Sequence, residues 1–246
     1  MRNADVDWDE WPVVDYIAEI YAELSGIDAE IIEHHSALYR RFAPDSLARS
    51  IELGAGPNLY PLLLAAAASR QIDAVERSAA NVAYLRRQLR DGPDDTWRPF
   101  YDLCRRHNGT LPPTMAEALS RVNIIHGDAW TIPAARDYDL ASMHFVAEGA
   151  TEDADEFAAF CRAFVDSVRP GGTLVAAFVA GLRRYRLRSG PVWPAYPVDI
   201  DTVGDVFGAI TEELTLTHVE PDQLTLDYGA TGMILLTARR PATELV

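Results

Sequence analysis

Residues 50–60 read Ser50-Ile51-Glu52-Leu53-Gly54-Ala55-Gly56-Pro57-Asn58-Leu59-Tyr60, and a strongly apolar run, 59–68, follows directly. Residues 50–53 are predicted as a short buried strand and 59–68 as a buried helix, with the two glycines making a tight turn between them. A strand, a glycine turn and a helix open a nucleotide-binding β-α unit, in which backbone without a Cβ lets a ligand approach closely. A dinucleotide fingerprint needs a third small residue to admit a pyrophosphate, and Pro57 and Asn58 stand there instead. The pattern therefore fits a nucleoside ligand without a pyrophosphate.

Working outward, residues 72–75 predict a second strand ending at Glu76, 22 residues beyond Gly54. A carboxylate at that place can accept hydrogen bonds from the hydroxyls of an adenosine ribose. Ser78 is expected to cap a helix running through Leu89. Further strands are predicted over 122–125, 138–143 and 173–178, with an amphipathic helix over 153–168 and a turn at Arg169-Pro170-Gly171-Gly172. A helix near 202–210 and strands over 214–219 and 233–239 complete the chain. Two helices, broken near Ser25-Gly26, precede the first strand, and proline-rich 91–120 reads as an insertion. Strands that alternate with helices imply a mostly parallel sheet, with its ligand beyond the carboxyl ends of the strands near the switch in strand order. The expected fold class is α/β: a Rossmann-like, seven-stranded, mostly parallel sheet with helices on both faces. One domain over 1–246 is expected, with a helical cap at 1–47 and the insertion at 91–120.

Composition narrows the chemistry. A formal charge of −15 disfavours nucleic-acid partners, which bind through basic patches. All 22 basic residues are arginine, so neither a lysine Schiff base nor a P-loop lysine is available. Nothing resembles a secretion signal or approaches ~18 uninterrupted apolar residues, so a cytoplasmic protein without membrane attachment is expected, monomeric or weakly dimeric. Cys104 and Cys161 read as reduced packing residues, with no metal site. His34 and His35, adjacent on a helix, read as surface residues.

Residues 51–60, 74–81, Gly127-Asp128-Ala129 and 168–172 together resemble a class I S-adenosylmethionine (SAM)-dependent methyltransferase, and most of all the nicotinamide, phenylethanolamine and thioether methyltransferase family. The resemblance implies SAM as cofactor, S-adenosylhomocysteine as product and no metal. It places the SAM carboxylate at Tyr16 and Tyr21, matches the family's cofactor-binding tyrosine after the glycine turn to Tyr60, and places the ribose at Glu76 and Asn81 and the adenine amine at Asp128. Glu52, Gly54, Gly56, Ala129 and His144 complete the expected cofactor contacts. On the acceptor side the family places a carboxylate just after the fifth strand, where this chain has Val179, so an amine acceptor of that kind is not implied. His144, Glu148 and Tyr185 are the acceptor-side candidates: a histidine titrates near neutrality, and Glu148 could hold an ammonium group or orient it.

The expected reaction is methyl transfer to N, O or S of a small metabolite. An alternative is intramolecular attack by SAM's own amine, giving azetidine-2-carboxylate and methylthioadenosine. A second alternative is a non-catalytic SAM-binding subunit.

Overall fold

The computed structural model describes residues 1–131, 137–188 and 190–242, and they fall into two compact units: Trp8–Ile132, and Met1–Asp7 with Pro133–Val246. In the first, α1 (Val13–Ile20) and α2 (Gly26–Tyr39) precede β1 (Leu47–Leu53), α3 (Tyr60–Ala65), β2 (Ser69–Glu76) and α4 (Ala79–Asp91). Ser25 caps α2 by accepting the Asp28 N–H at 3.0 Å, which is why the helical run breaks there. Ser78 caps α4 by accepting the Asn81 N–H at 3.3 Å. The segment expected to be an insertion carries α5 (Arg98–His107) and α6 (Met115–Leu119), then β3 (Val122–His126) follows. Strand β1 pairs in parallel with β2, and β2 in parallel with β3. Ile51 and Leu53 are fully buried on one face and Ser50 and Glu52 nearly so on the other, the pattern of a strand covered on both sides.

The second unit contains β4 (Tyr138–His144), α7 (Ala154–Ser167), β5 (Val168–Ala180), β6 (Tyr185–Arg186), β7 (Val192–Trp193), α8 (Ile200–Gly208), β8 (Glu212–Val219), α9 (Gln223–Asp227) and β9 (Gly232–Arg239). Strands β4 and β5 are parallel, and β9 runs antiparallel to both β5 and β8. The turn expected at 169–172 is absorbed as an irregularity of β5. Tyr138 pairs with Val168 and Leu140 already with Thr173, so the intervening residues are looped out around Gly171, whose φ is +74°. The segment 181–197, expected to be a loop, contains a small hairpin in which Tyr185 faces Trp193.

The strand order is β3-β2-β1-β4-β5-β9-β8, a mostly parallel, Rossmann-like sheet. Both cysteines are buried and reduced, and burial raises both thiols well above their ordinary range. His35 departs from the surface reading. It lies four residues after Ile31 on the inner stripe of α2 and is fully buried, while His34 beside it is half-exposed. Among the described residues no helix is long and apolar enough to cross a membrane, and no cluster of metal-ligating side chains occurs.

Candidate functional site

Glu76 ends β2 and is 7% exposed, yet it is a hub. Its Oε2 accepts the Gly56 N–H at 2.7 Å, and its Oε1 accepts the Ser78 N–H at 2.7 Å and the Asn81 Nδ2 at 3.2 Å. The glycine turn and the start of α4 are thus fastened to one carboxylate, and Gly127 N–H donates to the Glu76 carbonyl at 2.9 Å, bringing the end of β3 alongside. Burial raises the Glu76 carboxyl above its usual range, and those N–H donors partly offset the shift.

With the Arg77 backbone N–H also favouring the carboxylate, the Glu76 side chain is densely bonded to its own loop. The Oδ1 of Asn81 is buried and lacks a hydrogen-bond partner among the described residues. Glu76 and the Asn81 Oδ1 thus stand side by side as acceptors where β2 meets α4. Gly54 and Gly56 have φ of +67° and +56°, and a Cβ added at Gly56 would meet nothing within 4 Å. Among the described residues, open space therefore faces this side of Gly56.

The three tyrosines expected to act together do gather. The Tyr16 and Tyr21 hydroxyls lie 3.4 Å apart, with their rings edge to face at 5.5 Å, and the Tyr21 and Tyr60 rings meet at 6.2 Å. Tyr60 stacks on Phe100 at 5.8 Å. Burial pushes the Tyr16 hydroxyl up to about 12 and raises Tyr21 and Tyr60 well above the usual tyrosine range. The charge of Asp28 raises all three further, so the hydroxyls stay protonated and able to donate. Glu52 is 2% exposed and its charge also raises Tyr60.

Asp128 sits at the start of a turn. Its Oδ1 accepts the Trp130 N–H at 2.9 Å, and its Oδ2 lies 3.4 Å from Arg77 Nη1, a partner the sequence did not reveal. Ala129 beside it is buried.

In the other unit, His144 ends β4 at 6% exposure, and Glu148, four residues on, is 1% exposed. The Val179 N–H donates to Glu148 Oε1 at 2.7 Å, so a carboxylate stands at the end of β5 although the side chain there is valine. Glu148 Oε2 is buried without a hydrogen-bond partner among the described residues, and burial pushes this carboxyl up to about 7. Tyr185 packs edge to face on Tyr228 at 6.5 Å, beside an apolar patch of Leu182, Ala195 and Ala230.

Two residues escaped the sequence reading. Asn58 donates from Nδ2 to the Tyr21 hydroxyl at 2.8 Å and accepts the Tyr60 N–H at 3.2 Å. Asp28, 6% exposed, takes a hydrogen bond from the Ser25 hydroxyl at 2.8 Å. Each had a local signal. An asparagine two residues before a helix commonly bonds the backbone two residues on, and Ser25-x-x-Asp28 has the spacing of a helix cap with an acid in its first turn.

Residues 5–192 match the family described as NNMT/PNMT/TEMT. A search of curated protein sequences returns no match. Among solved structures, the chain is similar to a DhpI complex with SAM and HEP (15% identity, TM-score 0.59, 94% of each chain covered). It is similar to the N-methyltransferase NodS from Bradyrhizobium japonicum WM9 bound to S-adenosyl-L-homocysteine (14% identity, TM-score 0.57, 96% of this chain and 100% of that one). The [4+2]-cyclase SpnF is a further likeness (17% identity, TM-score 0.60, 96% of this chain and 94% of that one). At such identities the likenesses establish the fold.

Proposed function

The chain belongs to the NNMT/PNMT/TEMT family and is a SAM-dependent methyltransferase, and from that premise we propose that it methylates a nitrogen, oxygen or sulfur atom of a small metabolite. The observation that carries the cofactor reading is the Glu76 hub, with the buried, unsatisfied Oδ1 of Asn81 beside it. An orphan acceptor and an open glycine turn fit a nucleoside carrying a ribose diol.

In this proposal Glu76 and Asn81 hold the ribose, Asp128 with Ala129 borders the adenine, and the backbone at Gly54 and Gly56 approaches the ligand. Tyr16, Tyr21 and Tyr60 take the carboxylate, with Glu52 behind Tyr60. The cofactor supplies an activated methyl group, so the protein need only align the acceptor, exclude water and accept one proton. Glu148 receives that proton, since a carboxyl titrating near 7 is matched to the task at neutral pH. His144 and Tyr185 border the acceptor, and Tyr185 with its apolar patch suits an acceptor of low polarity.

Purified protein incubated with SAM and a panel of small amines, phenols and thiols tests the reading. S-adenosylhomocysteine that forms only when an acceptor is present is the expected result. Methylthioadenosine formed from SAM alone would overturn it in favour of cyclisation. Tight binding of SAM without either product would leave a non-catalytic subunit.

Gly56→Ala tests the turn. With φ at +56° an alanine is expected to cost about 1–2 kcal/mol of fold stability, while its methyl group projects into the space assigned to the ligand. Thermal melting should show a modest loss and calorimetry a weaker SAM complex. An unchanged affinity would move the ligand away from this turn.

A further inference from the structure

Asn58 is 5% exposed and stands between the glycine turn and α1. Its orientation follows from chemistry alone. The Tyr60 backbone N–H can only donate, so the amide oxygen of Asn58 must face it, at 3.2 Å, and the amide nitrogen must therefore face the Tyr21 hydroxyl, at 2.8 Å. A hydroxyl oxygen that accepts from Asn58 must turn its own proton elsewhere. Tyr16, with its hydroxyl at 3.4 Å, lies in that direction. Hydrogen bonds in such a chain polarise one another, so the amide at one end strengthens the donor at the other. All three hydroxyls remain protonated, as burial and the Asp28 charge require.

We propose that Asn58 is a positioning residue which fixes the direction of the Tyr21–Tyr16 hydroxyl chain, so that Tyr16, at the end of the chain, presents its O–H to the carboxylate of SAM. This rests on the cofactor reading above and adds to it a residue that touches no reacting atom. It predicts that Asn58 controls selectivity for the carboxylate in particular, and not affinity for the nucleoside.

The test compares SAM with decarboxylated SAM, which lacks only that carboxylate, by calorimetry on the full chain. Wild type should prefer SAM. In Asn58→Asp the side chain can still accept the Tyr60 N–H, but its other oxygen accepts where the amide nitrogen donated, so Tyr21 turns its proton back toward it. Affinity for SAM should fall about tenfold or more while that for decarboxylated SAM holds or rises. Asn58→Leu, similar in shape and uncharged, separates polarity from added charge and should also narrow the preference for SAM. Equal weakening of both ligands in the two variants, with a matching fall in melting temperature, would make Asn58 a structural cap only and overturn the proposal. So would equal binding of SAM and decarboxylated SAM by wild type. If wild type binds neither compound, nor methylthioadenosine, the cofactor reading itself fails, which is a distinguishable result.

Discussion

Replacing Glu76 by alanine is expected to weaken SAM binding by about 1–3 kcal/mol, roughly 5- to 150-fold, and to lower fold stability in the same protein. The two losses have one cause. The carboxylate satisfies the backbone N–H groups of Gly56 and Ser78 and the side chain of Asn81, and its removal leaves those donors without an acceptor at a nearly buried position. The glycine turn then loses its anchor to β2, so the ligand is met by a loosened turn as well as a missing acceptor. Saturating SAM should restore part of the lost melting temperature, because a ligand that binds only the folded state stabilises it in proportion to ln(1 + [L]/Kd). Glu76→Gln separates the effects. Its single amide oxygen can face Gly56 or Ser78 but not both, so its stability should lie between the other two proteins. Calorimetric affinity and thermal melts with and without SAM are the measurements. A Glu76→Ala protein that melts lower but binds SAM as wild type does would leave the hub as a structural clasp and remove the ribose from it.

How far the sequence carried this depended on where each signal is local. The glycine turn, the Glu76 terminus of β2 and the Ser78 cap are written in consecutive residues, and the folded chain joins them through one carboxylate. Helices α1 and α2 were legible because apolar spacing and Ser25 mark the break. Strand β1 begins three residues earlier than the apolar pattern suggested, because Leu47 pairs with Ser69 at its partly exposed start. What stayed hidden depends on pairing between distant segments. Arg77 beside Asp128, Asn58 against Tyr21 and the Glu148 carboxylate at Val179 join residues 51, 37 and 31 positions apart. The Glu148 contact also changes a conclusion drawn from type alone. Valine at the end of β5 suggested that the position lacked a carboxylate, whereas a neighbouring loop delivers one to its backbone.

That carboxylate has a consequence that can be measured without knowing the acceptor. The Glu148 carboxyl titrates at about 7 in the folded protein against an ordinary value of 4.5, chiefly because burial disfavours its charged form; the Val179 N–H, which favours it, offsets only part of the shift. A raised folded value means that the native state holds a proton which the unfolded chain releases. The associated stability is fully present below pH 4.5 and is lost as pH rises through 7. A displacement of that size corresponds to about 3 kcal/mol, most of it lost between pH 5 and 8. Glu148→Gln keeps an oxygen for the Val179 N–H and cannot ionise. Urea unfolding of both proteins at pH 5, 6, 7 and 8 should therefore show the variant gaining on wild type by about 3 kcal/mol across that range, and subtracting the curves cancels the titration of the histidines. A difference that stays flat with pH would show that Glu148 ionises as an ordinary carboxylate. The same variant connects stability to turnover. Once an acceptor is found, the wild-type rate should rise with pH through about 7 as Glu148 becomes able to take the released proton, and that rise should be absent from Glu148→Gln. A carboxyl kept neutral by burial costs the fold little below its titration point, and in the proposed role it destabilises the fold only at the pH where its ionised form would receive a proton.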